Sequence, residues 1–259
     1  MLLVTPLPAD EHDPAKDCPW PGTLNPMLAA PLAAAAPRLQ IPDGNGDARP
    51  IVKVCGMRDP DNIRAVEAAG ADWMGFIFCP ASPRHVEEVP AYLPERCLRV
   101  GVFVDAPLAT ITARVRAFAL DIIQLHGQET PAFCAALRSA LPPGISLMKM
   151  LPVGTEDDLR QTETYDEVVD LFLMEPKTKA AGMSHYGGSG QQFDWQLLEA
   201  YTSEHPFLLS GGLRPEDAPA LALLRHPRLL GFDINSHFEQ APALKDADKI
   251  KTFIQTIRS

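Results

Sequence analysis

From residue 51 onward, short apolar runs alternate with segments whose apolar residues recur at helical spacing. The apolar runs fall at 51–55, 72–78, 98–104, 121–125, 146–151, 170–175, 206–209 and 229–234. Amphipathic stretches follow them near 60–69, 87–94, 107–118, 130–140, 156–164, 194–203, 214–226 and 244–257. A buried strand reads as a short β-branched run, and a surface helix as a 3.6-residue stripe. Strands alternating with helices imply a parallel sheet. Eight such units imply closure, so the pattern predicts an α/β fold of the (β/α)8 TIM-barrel type. An open doubly wound sheet is the alternative, but it usually has fewer units and a Gly-rich first turn. The first turn here, Cys55-Gly56-Met57-Arg58, carries no dinucleotide fingerprint.

The first 50 residues break this rhythm. They hold 10 of the 26 prolines, and the run 28–36 is mostly alanine. Proline at this density prevents a continuous helix or a paired strand. Residues 1–47 are therefore expected to form a flexible Pro/Ala-rich extension with one short helix near 27–36. Residues 48–259 are expected to form the barrel domain.

The formal net charge of -10 argues against nucleic acid or an acidic membrane as partner. A small anionic substrate then needs local cations and backbone N–H groups to overcome the global field. No apolar run approaches the ~20 residues of a membrane span. The N-terminus lacks the basic flank of a signal peptide. Cys18, Cys55, Cys79, Cys97 and Cys134 show no metal-type spacing, and they are read as reduced thiols of a cytoplasmic protein. Neither a metal nor a cofactor is expected, and a monomer is expected rather than a dimer.

An α/β barrel places its chemistry at the C-terminal ends of its strands. Strand 1 ends there in Cys55, and Lys53 points to the same side because strand side chains alternate. A cation beside a thiol favours thiolate, hence a base or nucleophile. The alternative is that Cys55 is simply a small buried hydrophobe. Arg84, in the stiff loop Cys79-Pro80-Ala81-Ser82-Pro83-Arg84, offers a planar fork suited to a carboxylate or an ordinary surface arginine. Strand 4 runs into His126, a substrate-binding candidate that has a structural reading too. Gly188 and Gly190, in Gly187-Gly188-Ser189-Gly190, suit a lid or a close backbone approach to a ligand. Strand 7 ends in Ser210-Gly211-Gly212-Leu213, and strand 8 in Asp233-Ile234-Asn235-Ser236. Backbone amides at these two places form the usual phosphate site of such barrels, so Gly211, Gly212, Asn235 and Ser236 point to a phosphorylated small molecule.

Taken in order, these motifs resemble the phosphoribosylanthranilate isomerase family. The resemblance rests on Lys53-Val54-Cys55-Gly56, Gly75-Phe76-Ile77-Phe78, Ser82-Pro83-Arg84 and Val100-Gly101-Val102-Phe103-Val104. It continues through Gln124-Leu125-His126-Gly127, the 187–190 glycines with Phe193-Asp194-Trp195, the ends of strands 7 and 8, and Lys245-Asp246. It implies a tryptophan-pathway isomerase that performs an Amadori rearrangement of N-(5-phosphoribosyl)anthranilate. A general acid opens the furanose ring and a cysteine removes the C2 proton. By this resemblance Cys55 is the base, Arg84 meets the anthranilate end, and Gly211, Gly212, Asn235 and Ser236 hold the phosphate.

One position departs from the family pattern. The family's acid is an aspartate at the end of strand 6, where this chain has Leu173-Met174-Glu175-Pro176. Glu175 keeps the carboxyl but adds a methylene. Two rivals follow: a barrel that binds a phosphoribosyl ligand with weakened or no turnover, and a different phosphosugar barrel enzyme. The catalytic lysines with an acid pair, or the convergent histidines and acids, that the second rival needs are not evident in the sequence.

Overall fold

A computed structural model describes residues 49–177 and 195–259. Eight parallel strands close into one barrel in chain order. They are β1 (Ile51–Cys55), β2 (Trp73–Ile77), β3 (Leu98–Phe103), β4 (Ile122–Leu125), β5 (Ser146–Val153), β6 (Leu171–Pro176), β7 (Phe207–Leu209) and β8 (Leu229–Ile234). Each lies within two residues of its expected place. The expected extension, residues 1–47, lies outside the described residues, as do Gly188 and Gly190.

The helical layer is less regular than its pattern suggests. Regular helices are α1 (Pro60–Ala68), α2 (Leu108–Phe118), α3 (Pro131–Ala140) and, last in the chain, α6 (Ala247–Ile257). The helix expected at 87–94 does not form, because Pro90 and Pro94 interrupt it. After β5 there is one turn, α4 (Glu156–Leu159), which tightens into a 3-10 turn at Arg160–Thr164. After β6 a 3-10 turn, Trp195–Ala200, stands where a helix over 194–203 is expected. After β7 only Pro215–Asp217 and α5 (Ala218–Leu221) are helical where a helix over 214–226 is expected. The last helix starts at 247 rather than 244, because Leu244–Lys245 forms β10, paired antiparallel to β9 (Glu239–Ala241). Asp246 caps α6, its side chain accepting from the Lys249 N–H.

Alternation along the strands sorts the core into two layers. Trp73, Val100, Ile122, Met148, Leu171, Leu173 and Leu208 fill the barrel interior. Their neighbours Met74, Ile123, Leu147, Phe172 and Phe207 pack outward, in the cluster that includes Ile250 and Phe253 of α6. The same parity sends Lys53 and Cys55, Gln124, Glu175, Ser210 and Asp233 toward the barrel axis. Near the upper end the apolar layers give way to these polar groups.

The barrel closes where β8 meets β1, with Ile51 opposite Gly231 and Lys53 opposite Asp233. A Cβ at Gly231 would lie 1.9 Å from the Ile51 carbonyl oxygen, so only glycine lets the two backbones approach this closely. Gly231→Ala is expected to lower the melting temperature by roughly 2–12 °C, from about 1–3 kcal/mol of overpacking at about 2–4 °C per kcal/mol. A circular-dichroism melt reads this directly, and an unchanged Tm would show that the seam yields without cost.

Candidate active site

The upper ends of the strands line an open pocket. Eight of the expected site residues line it: Cys55, Arg84, His126, Glu175, Gly211, Gly212, Asn235 and Ser236. Lys53 lies beneath the lining, fully buried. Its Nζ donates to Asp233 Oδ1 at 2.8 Å.

Cys55 is the last residue of β1, its neighbour on β2 is Gly75, and it is buried. A Cβ at Gly75 would come within 2.8 Å of the Cys55 sulfur, so that glycine makes room for the thiol. Lys53 alone would favour thiolate. The pocket reverses this expectation: burial pushes the Cys55 thiol above its ordinary pKa and outweighs the lysine. The resting group is therefore a thiol. Burial also works against the Lys53 ammonium, but Asp233 and Cys55 more than offset it and raise its pKa. Among the other cysteines, Cys97 and Cys134 are free and buried, whereas Cys79, at the pocket wall, is disulfide-bonded. That departs from the expected set of reduced thiols.

Glu175 enters the pocket from the end of β6. Its Oε1 accepts from Ser210 Oγ at 3.0 Å, and His126 Nε2 lies 3.7 Å from its Oε2. Pro176 holds Glu175 in extended backbone. The proline ring in turn packs on Gly211, where a Cβ would fall 2.2 Å from Pro176 Cδ. The base of the carboxyl side chain is thus fixed from both β6 and β7. Burial raises the Glu175 pKa, partly countered by the Ser210 hydrogen bond and the Lys53 charge, so this carboxyl keeps its proton to higher pH than a solvated one.

His126 is neutral. Burial, with Lys149 and Lys53 nearby, pushes its pKa down to about 4. Gln124 Nε2 lies 2.9 Å from His126 Nδ1. With the Gln124 amide as donor, Nδ1 accepts and the ring hydrogen sits on Nε2, facing Glu175. The His126–Glu175 approach is then a neutral contact rather than an ion pair. Gln124 Oε1 is buried with no hydrogen-bond partner among the described residues. Asp233 completes the cluster: burial raises its pKa against the pull of Lys53, and Ser210 Oγ is 3.5 Å from its Oδ2.

Gly211 and Gly212 take positive φ (85° and 68°), turning the backbone after β7 into the pocket. A three-residue 3-10 turn, Ser236–Phe238, follows β8. Arg84 lines the pocket but is already engaged. Its Nε and Nη2 donate to Glu239 Oε1 and Oε2 at 2.9 and 2.7 Å. Gln124, Ser210, Asp233 and Glu239 were not among the expected site residues. The first three share inward parity with expected site residues, a signal present in the chain. Glu239 carries no such signal, because it reaches Arg84 only through the β9–β10 hairpin.

The closed barrel, with a buried thiol, a carboxyl of raised pKa and glycine turns after β7 around one pocket, defines an enzyme of the TIM-barrel class. Residues 52–256 match the sequence model described as N-(5'phosphoribosyl)anthranilate (PRA) isomerase, and the chain belongs to that family. The N-(5'-phosphoribosyl)anthranilate isomerase of Phocaeicola vulgatus is 48% identical over 208 residues, covering 80% of this chain and 98% of that protein. The crystal structure of phosphoribosyl anthranilate isomerase from Thermotoga maritima superposes with a TM-score of 0.66 at 30% identity, covering 80% of this chain and 98% of that one. A further solved member, in complex with reduced 1-(o-carboxyphenylamino)-1-deoxyribulose 5-phosphate, gives 0.63 at 27% identity over 80% and 98%.

Proposed function

We propose that this chain isomerises N-(5-phosphoribosyl)anthranilate to 1-(2-carboxyphenylamino)-1-deoxyribulose 5-phosphate, the Amadori step of tryptophan biosynthesis. The observation that carries the reading is a thiol on β1 and a carboxyl of raised pKa on β6 opening into one pocket, in a chain of this family. The substrate's phosphate lies against Gly211, Gly212, Asn235 and Ser236, and its carboxylate lies toward Arg84. Glu175 gives its proton to the furanose ring oxygen, the C1–O bond breaks, and an iminium forms at C1. Cys55, thiolate in the minor form of the enzyme whose one shared proton sits on Glu175, takes the C2 proton, and the electrons of that bond form the enolamine, which tautomerises to the ketone. Lys53 and Asp233 hold the floor beneath the thiol. His126 presents its Nε2–H to Glu175. The unpartnered Gln124 Oε1 is an acceptor for a substrate N–H or O–H. The working unit is residues 48–259, monomeric and cytoplasmic. No described helix is long and apolar enough to cross a membrane.

The test is loss of phosphoribosylanthranilate fluorescence with the purified protein, with and without a chelator. Chelator-resistant turnover is expected. Tight binding without turnover would overturn the catalytic reading in favour of a ligand-binding barrel.

The phosphate assignment has its own test. Inorganic phosphate should compete with substrate, and Gly212→Asp should raise KM on the order of tenfold or more. The variant adds strain at positive φ and a negative charge where the anion is to sit. An unchanged KM would place the phosphate elsewhere.

A further inference from the structure

Behind Arg84 lies a buried set of charges that no step above uses. Glu239, which holds the Arg84 fork, has a side chain only 6% exposed. Its Oε1 also accepts from Lys245 Nζ at 2.6 Å and from the Ala243 N–H at 3.1 Å. The Lys245 side chain is fully buried. Its Nζ donates to Asn235 Oδ1 at 2.6 Å and to the Asn235 carbonyl at 3.3 Å. Three acceptors therefore surround Nζ, and only the ammonium form has three N–H bonds to meet them. The lysine backbone is clamped by Asn62 of α1, whose side-chain amide both donates to the Lys245 carbonyl and accepts from its N–H, each at 2.8 Å. A Cβ at Gly56 would lie 2.7 Å from Arg84 Cδ and 3.2 Å from Asn235 Oδ1, so both side chains pass over one glycine. Neither Glu239 nor Lys245 lines the pocket, whereas Arg84 and Asn235 both do.

Charge balance gives this arrangement its meaning. Arg84 and Glu239 alone cancel, and a carboxylate approaching Arg84 would meet a guanidinium already neutralised at close range. Burial lowers the Lys245 pKa against the pull of Glu239, but as the ammonium that its three acceptors call for it restores a net charge of +1 to the trio, in a place where partial burial limits screening. Arg84 has five N–H donors, and Glu239 takes one at Nε and one at Nη2, so three are left to turn toward the pocket. Asn235 stands at the other anion end.

We propose that Lys245 is a positioning residue for both anion ends of the pocket, setting Arg84 through Glu239 and setting the β8 end of the phosphate site through Asn235. The inference rests on the reading of the pocket given under the proposed function. It absorbs the Lys245-Asp246 pair, of which Asp246 caps α6 and Lys245 joins the two subsites.

The test uses the full chain with Lys245→Met, Lys245→Arg and Glu239→Gln. Lys245→Met should raise KM on the order of tenfold, about 1.4 kcal/mol of binding, with kcat changed far less. It should weaken inhibition by anthranilate and by inorganic phosphate alike, and Lys245→Arg should recover part of both. Glu239→Gln should change inhibition by anthranilate and leave that by phosphate as it is, because the Lys245–Asn235 contact remains. A folded Lys245→Met protein that binds both anions as the wild type does overturns the proposal. If that variant does not fold, an unchanged anthranilate affinity in Glu239→Gln overturns it instead. Calorimetric titration with the two anions makes the same comparisons without turnover. A wild type that binds both and isomerises nothing therefore counts against the enzymatic reading, while the Lys245 variants still decide this one.

Discussion

Cys55→Ala should lower kcat by roughly 10²–10⁴-fold, the range that a positioned base contributes, while the barrel keeps its melting transition. The sulfur sits at the end of β1 over Lys53, in a space that Gly75 leaves open. Removing it takes away the proposed proton acceptor and little packing, because the side chain is small and no hydrophobic cluster depends on it. Cys55→Ser should fare little better, since a hydroxyl ionises far less readily than a thiol. The measurement is kcat from fluorescence decay at saturating substrate, with a circular-dichroism melt as control. A Cys55→Ala protein with kcat near wild type would remove Cys55 from the mechanism.

The second large effect concerns Glu175. Glu175→Gln should bind substrate and lose most of kcat, because an amide has no acid proton to give. The pH profile separates this from a structural defect. The productive enzyme needs one proton shared out in a particular way, with Glu175 carboxylic and Cys55 thiolate. Both groups have pKa values raised by burial, so the wild-type profile is a bell that belongs to the pair. Activity falls at low pH as a second proton adds and at high pH as the last is lost. Without the carboxyl, the residual rate needs only the thiolate, so it should rise with pH and lose its alkaline decline. Glu175→Asp is also expected to fall, on the order of 10–10²-fold. Pro176 packed on Gly211 keeps the backbone from following the shorter side chain, and about 1 Å of misplacement can cost that much. An aspartate variant as fast as wild type would show that the site tolerates either length, and full activity in Glu175→Gln would move the acid to Asp233.

The strands were legible from the chain because burial on both faces demands continuous β-branched and aromatic runs. The helical layer was less so. An amphipathic stripe at 87–94 says which side would be buried but not that a helix forms, and Pro90 with Pro94 settles the matter against it. The 214–226 stripe likewise yields only the short turns Pro215–Asp217 and Ala218–Leu221. Parity and strand ends were enough to bring Cys55, Arg84, His126, Glu175 and the glycines after β7 to one pocket. The sign of the thiol's pKa shift was not readable. A lysine two residues away is visible in sequence, whereas desolvation is a property of the closed barrel. Arg84's engagement was equally hidden, since its partner lies 155 residues away on a hairpin with no strong pattern of its own.

The Lys53–Asp233 pair spans 180 residues and joins the first strand of the barrel to the last. Its consequence is temporal. During synthesis, Lys53 emerges early and has no counter-ion until β8 follows, and a buried ammonium without a partner is costly. The lower half of the site therefore cannot settle before the seam between β1 and β8 shuts. In refolding, the regain of turnover should trail the regain of helical signal, and chains that stop short of Leu229 should carry the thiol yet never assemble the floor beneath it.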